Sequence, residues 1–194
     1  MLPLSIAQMK DKRKPLCRRS GKSLFFAGLE REGCFFPDEP LQWAKRFREV
    51  SYGSVDSQNE DLGWLYRLLS DPEVMRWLEP PYSREQAETF LFCAGLSESP
   101  LIYAAEEQGV PIGYVIDHPY DVHSREIGWV LLPEYWGHGY ASALTDLLIQ
   151  RARQERRQLV IECAPQQQAT KCIAVRKGFR YQGLIDGLDV YRLE

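Results

Sequence analysis

Trp136-Gly-His-Gly139 sets two glycines two residues apart, between a stretch that alternates like a strand and one that repeats like a helix. Glycine lets the backbone turn tightly and lets a ligand approach the main chain closely. A helix that begins there leaves its first N–H groups free and aims the positive end of its dipole at the turn. The chemistry such a segment performs is the binding of a phosphate or pyrophosphate by backbone alone. Two carboxylates accompany it: Glu126 near the start of the strand-like stretch, and Glu162 interrupting Leu159-Val-Ile-x-Cys163. A carboxylate within an apolar run needs a partner or a purpose. For each, the alternatives are a structural ion pair (Arg125 or Arg180 could serve Glu126) and a role in moving a proton or holding a substrate.

The elements that must position these residues follow from periodicity. Ile127, Trp129 and Leu131 alternate with Glu126, Gly128, Val130 and Leu132, as in a strand. From Tyr140 the apolar positions are Tyr140, Ala143, Leu144, Leu147, Leu148 and Ala152, which predicts a helix to about residue 154. Upstream, Glu49 to Val55 reads as a first core strand. Leu62, Leu65, Leu68 and Leu69 mark a helix that stops at Ser70-Asp-Pro, and Pro72 to Leu78 a second with Pro in its first turn. Ser83-Arg-Glu-Gln86 is a capping box that opens a third. Leu101 to Ala105 and Ile112 to Ile116 flank a hairpin turn, and the polar segment His118-Pro-Tyr-Asp-Val-His123 reads as a loop. Downstream come a strand at Leu159 to Cys163, a helix from Thr170 to Lys177, and a pair of strands, Phe179 to Gly183 and Asp189 to Leu193, turning at Asp186-Gly187. This order predicts a mixed α+β sheet, mostly antiparallel, with helices on both faces.

Glu134-Tyr-Trp-Gly-His-Gly139 resembles the acetyl-coenzyme A motif Gln/Arg-x-x-Gly-x-Gly/Ala of the GNAT superfamily of N-acetyltransferases, with Glu at the first position as the departure. Pro133 to Ala141 is similar to the spelling Pro-Glu-x-Trp-Gly-x-Gly-Tyr-Ala of its branch of ribosomal-protein alanine acetyltransferases. The resemblance runs from about Val50 to the C-terminus and implies a GNAT domain over 46–194, after an extension over 1–45. It implies acetyl-CoA as cosubstrate, bound by Val130, Leu131, Leu132, Trp136, Gly137, His138, Gly139, Tyr140 and Ala141. The family's later motif, Asn-x-x-Ser followed by Glu-Lys-x-Gly-Phe, is altered here. Counting back from Gly178-Phe179, Gln167 stands at the Asn position, Thr170 at the Ser position, Val175 and Arg176 at the Glu and Lys positions. Gln167 and Thr170 are thereby implied as coenzyme contacts.

Acetyl transfer to an amine requires a proton to leave the amine, a donor for the carbonyl oxygen, and departure of a thiolate. In the family a glutamate at the position of Glu126 often acts through a water, which makes Glu126 the first choice of base and Glu162 its rival. Asp117, His118 and His123 lie in or beside the loop before that strand. The resemblance implies a backbone N–H of Val130 or a neighbour as carbonyl donor. The tyrosine that many members carry as general acid is replaced by Ala174, leaving Thr170, Cys172 and Tyr181 as substitutes. The acceptor reads as a primary amine, on a small molecule or a protein N-terminus. The reading from another class is a non-catalytic acyl-CoA-binding or regulatory domain, to which Ala174 lends weight. A dinucleotide-binding oxidoreductase is disfavoured, since Ser142 stands where the third glycine of Gly-x-Gly-x-x-Gly is needed.

Composition bounds the remaining classes. The 194 residues carry a net charge of −3, which argues against bulk binding to nucleic acid or an anionic membrane. No run reaches the apolar length of a membrane span. Five cysteines without a Cys-x-x-Cys predict reduced thiols, a cytoplasmic setting and no metal site. Basic residues cluster from Lys10 to Lys22, a pattern expected of a solvated arm. An extension that packed on a neighbouring chain would make the protein a homodimer.

Overall fold

The computed structural model describes residues 50–53 and 59–194. The predicted extension over 1–45, its basic cluster and most of the first strand's flanks lie outside the described residues. Strand β1 spans Val50–Gly53. Helix α1 follows at Asn59–Leu69, α2 at Pro72–Met75 and α3 at Arg84–Phe90, the last running into one π-helical turn over Leu91–Gly95. Strands β2 (Ile102–Glu107), β3 (Val110–Pro119) and β4 (Ser124–Leu131) form a meander. A 3-10 turn at Pro133–Tyr135 leads to α4 (Tyr140–Glu155). Strand β5 (Gln158–Cys163), α5 (Gln168–Arg176), β6 (Arg180–Ile185) and β7 (Leu188–Leu193) complete the chain.

The caps explain several boundaries. Asp71 accepts from the amides of Glu73 and Val74 at 2.8 and 3.2 Å, starting α2. Ser83 and Gln86 form the predicted capping box in front of α3. The second helix is shorter than the expected 72–78, and ends at Met75. At the other end of the meander the difference runs the other way. Asp117 and His118, expected in a loop, are buried in β3, because Asp117 is paired with Arg125 at 2.5 Å and Arg151 at 3.2 Å. Two of the cysteines, Cys93 and Cys163, are free.

The strands form one seven-stranded sheet in the order β1-β2-β3-β4-β5-β7-β6. On one face Leu65, Leu68 and Leu69 of α1 and Phe90 of α3 pack against Ile102, Tyr114 and Val130. On the other, Leu144, Leu148 and Ile149 of α4 and Ala174 of α5 pack against Val115, Ile127, Leu131 and Ile161. All neighbours are antiparallel except β4 and β5. These two pair only through Ser124, Arg125 and Glu126 opposite Gln158, Leu159 and Val160. Beyond Glu126, β4 stays with β3 as far as Leu131, and β5 stays with β7 as far as Cys163. The two central strands therefore part, leaving a wedge between Ile127–Leu131 and Ile161–Cys163.

Gly113 holds one side of that wedge. Its φ is +154°, and a Cβ there would meet the Val130 carbonyl oxygen at 2.1 Å and the Leu131 Cα at 2.8 Å. Only glycine lets β3 come this close to β4, and it does so at the level where β4 has left β5. The loop at the opposite end is fixed by Asp121, whose carboxylate accepts from the amides of His123 and Ser124 at 2.8 Å each and from Arg192 at 3.2 Å. Burial alone would raise its pKa; the donors from Ser124, His123 and Arg192 outweigh it and bring it from 3.8 down to about 2.

Two consequences can be measured. Gly113→Ala should destabilise the fold by about 1–3 kcal/mol in urea unfolding, through backbone strain and the clash with Val130; an unchanged midpoint would show that β3 and β4 are not in close contact. For Asp121, a depressed carboxylate stabilises the fold above its unfolded pKa, and that stability is lost as pH falls through the folded value. Asp121→Asn should therefore lower stability at neutral pH by a few tenths to about 1 kcal/mol, a figure discounted for solvent exposure. The gap between parent and variant melting temperatures should close between about pH 4 and pH 2. A gap that persisted at pH 2 would contradict this account.

Candidate active site: the wedge, the cradle and a buried polar layer

Main-chain direction along β4 decides what faces the wedge. Ser124 O accepts from Tyr120 N at 2.9 Å and Leu132 N donates to Ile112 O at 2.9 Å, so even-numbered residues turn their main chain toward β3. His123 O accepts from Gln158 N at 3.1 Å, so odd-numbered residues turn toward β5. Val130, the first sequence choice for carbonyl donor, thus directs its amide to β3. Its neighbours Trp129 and Leu131 face the wedge, where β5 has moved away and offers no ladder partner. Groups presented this way can pair with an extended ligand as another strand would. The Leu131 carbonyl is taken by the indole N–H of Trp136 at 2.8 Å, a bond that ties the cradle to the strand.

The cradle sits directly after this strand. Gly137 and Gly139 have φ of +74° and +87°, left-handed values that glycine adopts without strain. Gly139 is the N-cap of α4 and caps it with no side chain, so the first amides of the helix remain for a ligand. Beneath them, Tyr140 is buried and meets Tyr135 edge-on at 5.6 Å. The Ala141 carbonyl accepts from the Thr145 hydroxyl at 2.6 Å. Trp136 and His138 are exposed at the rim. Glu134, the departure from the family spelling, forms an ion pair with Arg67 of α1. Sequence reasoning missed Arg67, because nothing local to α1 points across the fold.

On the face of the sheet that carries α1 and α3, the two carboxylates belong to a polar layer. Glu126 lies directly across from His118, with its Oε2 3.6 Å from His118 Nε2, and both side chains are buried. His118 Nδ1 is 3.1 Å from the Pro119 carbonyl, which can only accept, so this nitrogen donates and Nε2 is the one turned to Glu126. Glu162 is half-buried and accepts from the Tyr120 hydroxyl at 2.8 Å. Burial, the bond to Glu162 and the Glu162 and Glu126 charges all push the Tyr120 pKa up, with Arg192 opposing them. Tyr120 thus binds Glu162 and feels the charge of Glu126, and it stood in the sequence only as part of a polar segment.

Other predicted positions are occupied differently. Gln167 caps α5, and its side-chain oxygen accepts from the Ala164 amide at 2.8 Å. Thr170 is half-buried in the first turns of α5. Ala174 is fully buried in the core. The Tyr181 hydroxyl donates to Asp189 at 3.0 Å, and this bond raises its pKa. Burial and the Asp189 charge push the Cys163 thiol up to about 11, against the pull of Lys171, which leaves it a poor nucleophile at neutral pH. Among the described residues no group of three His, Cys, Asp or Glu could hold a metal ion, and no helix is long and apolar enough to cross a membrane.

Comparison with known proteins agrees with this geometry. A family model described as an acetyltransferase (GNAT) domain matches residues 56–180, more than half of the chain. The chain is 25% identical over 124 residues to the uncharacterized N-acetyltransferase YnaD of Bacillus subtilis, covering 61% of this chain and 73% of that protein. Among solved structures, an acetyltransferase of the GNAT family from Bacillus anthracis superposes with a TM-score of 0.65 at 20% identity, over 75% of this chain and 93% of that one. A spermidine N-acetyltransferase from Vibrio cholerae, solved with CoA and spermine, gives 0.62 at 18% identity, over 74% and 93%. RimL, a ribosomal L7/L12 alpha-N-protein acetyltransferase solved with coenzyme A, gives 0.62 at 20% identity, over 75% and 94%. With the parted central strands and the glycine cradle at the head of α4, the match over residues 56–180 means that the chain belongs to the GNAT acetyltransferase family.

Proposed function

We propose that the protein is an acetyl-CoA-dependent N-acetyltransferase that moves the acetyl group directly to a primary amine held in the same complex. The observation that carries this reading is the wedge opening beside the cradle: one site takes an extended thioester arm, the other its pyrophosphate. The amides of α4 and of Gly137 and Gly139 hold the pyrophosphate. The main-chain groups of Trp129 and Leu131 pair with the arm and supply an N–H to the carbonyl oxygen. Solved relatives described as complexes with CoA or acetyl-CoA support the choice of cosubstrate.

The acceptor arrives as an ammonium, which must lose a proton before nitrogen can attack. Glu126 takes that proton. The amine nitrogen then bonds to the acetyl carbonyl carbon, negative charge develops on its oxygen, and the wedge N–H stabilises it. The carbon–sulfur bond breaks, coenzyme A leaves as a thiolate, and the second proton of the attacking nitrogen passes to that thiolate or to solvent. A thiol of pKa about 8.5 departs with little proton assistance, so the core position of Ala174 does not bar the reaction. Cys163, with its raised pKa, takes no part as an acyl carrier.

Gly139→Trp should abolish acetyl-CoA binding in calorimetry while the melting curve remains cooperative, since a side chain at φ +87° would fill the cradle. Unchanged affinity in a folded variant would sink the coenzyme assignment. Glu126→Gln should lower turnover of an amine acceptor by about 10²–10⁴-fold at neutral pH, with acetyl-CoA affinity within a few-fold of the parent. Equal rates would remove Glu126 as the base. An amine panel read by mass spectrometry that showed acetyl-CoA bound but no product would favour a non-catalytic acyl-CoA-binding domain instead.

A further inference from the structure

A carboxylate that neither the cradle nor the polar layer uses lies on the face of the sheet that carries α1 and α3, next to Tyr82 of the cluster there. Glu79 follows α2 on the short link Glu79-Pro80-Pro81-Tyr82, which two prolines stiffen. The link is anchored where the Tyr82 amide donates to Leu69 O at 2.8 Å. The Tyr82 hydroxyl donates to Glu79 Oε2 at 2.6 Å. The other oxygen, Oε1, is buried and has no hydrogen-bond partner. Burial, the Glu79 hydrogen bond and the Glu79 charge all push the Tyr82 pKa up, so Tyr82 remains a donor to the carboxylate.

The surroundings match a cation. Tyr82 meets Phe90 edge-on at 6.1 Å, and Phe90 meets Tyr114 at 5.9 Å, so three aromatic rings stand in a row that begins at the carboxylate. Tyr114 lies directly across the β3–β4 ladder from Val130, at the level of the wedge. A buried carboxylate oxygen without a donor is costly, and an ammonium near aromatic faces is the group that offsets the cost. That ammonium cannot be the reacting one. The reacting nitrogen gives its proton to Glu126 on β4, so the charge that Glu79 would hold belongs to a second nitrogen of the acceptor. Resting on the acetyltransferase reading above, we propose that Glu79 holds a second, non-reacting ammonium, and that the acceptors are diamines or other amines bearing a further positive charge.

Matched acceptors test this: 1,4-diaminobutane against butylamine, each with the parent protein, Glu79→Gln and Tyr82→Phe. Glutamine keeps an oxygen for Tyr82 and removes only the charge, so Glu79→Gln should melt as the parent does. The parent should prefer the diamine by about tenfold or more in kcat/KM. Glu79→Gln should erase that preference by raising the diamine KM, with butylamine kinetics and acetyl-CoA affinity unchanged. Tyr82→Phe should weaken the preference less, since the charge remains. Calorimetry of 1,4-diaminobutane with the CoA-bound protein gives a readout that needs no turnover, and the parent should bind it about tenfold or more tightly than Glu79→Gln does. Failure of all acceptors to react while this binding difference persists would overturn the catalytic reading and leave the Glu79 site standing. Equal use of both amines by the parent, equal losses for both in Glu79→Gln, or no difference in diamine binding would overturn the site.

Discussion

The early parting of β4 from β5 is the constraint on which the rest of the structure depends. A parallel pair buried at the centre of a sheet ordinarily keeps its ladder along its length, because an unpaired main-chain group away from water is costly. Here the ladder ends after Glu126, although β4 continues for five more residues and β5 for three. Each strand keeps its other neighbour, so the sheet does not come apart: β3 holds β4 through Gly113, and β7 holds β5 to Cys163. The cost of parting falls on one edge of each strand. One carbonyl on that edge, that of Leu131, is satisfied by Trp136, and under the proposed function the coenzyme arm would satisfy others.

The same parting sets the cradle's electrostatics. The chain leaves β4 at Leu131, turns through Pro133–Tyr135 and enters α4, so the dipole end of α4 lies at the mouth of the wedge. A carboxylate at Glu134 would oppose a pyrophosphate there. Its ion pair with Arg67 offsets that charge and joins α1, on one face of the sheet, to the turn that begins the helix on the other. Both side chains are substantially exposed, so the pair contributes little to stability. Its consequence is local: the guanidinium brings positive charge to the place where the family spelling would have put Gln or Arg on the motif itself.

Much of this architecture was legible in the sequence, and for identifiable reasons. The alternation over Glu126–Leu132, the helical repeat from Tyr140, the glycine pair and the Ser83 capping box are local signals, and each produced the element it predicts. The wedge was not legible, because ladder length depends on how β3 and β7 hold their partners. Asp117 and His118 misled for a related reason. A polar run before Pro119 reads as a loop, yet Arg125 and Arg151 neutralise Asp117, and Glu126 faces His118, so β3 keeps both inside the fold. Arg67 and Glu79 gave no signal, and Tyr120 only one as part of a polar segment, since their partners lie across the fold or their geometry depends on the buried end of a short link.

Residue parity explains why chemistry and packing do not compete along β4. Side chains of Ile127 and Leu131 enter the core beneath α4, while those of Glu126 and Val130 point to the face under α1 and α3. Main-chain groups of the odd residues, meanwhile, face the wedge. One strand thus offers three surfaces: an apolar one that anchors it, a backbone edge that β5 leaves open, and a face that carries the Glu126 carboxylate. Shifting the register by one residue would bury Glu126 under Leu144 and Leu148 and turn the wedge-facing amides toward β3. The buried contacts of Ile127 and Leu131 oppose that shift, so the core packing that stabilises the sheet also fixes the orientation of the site.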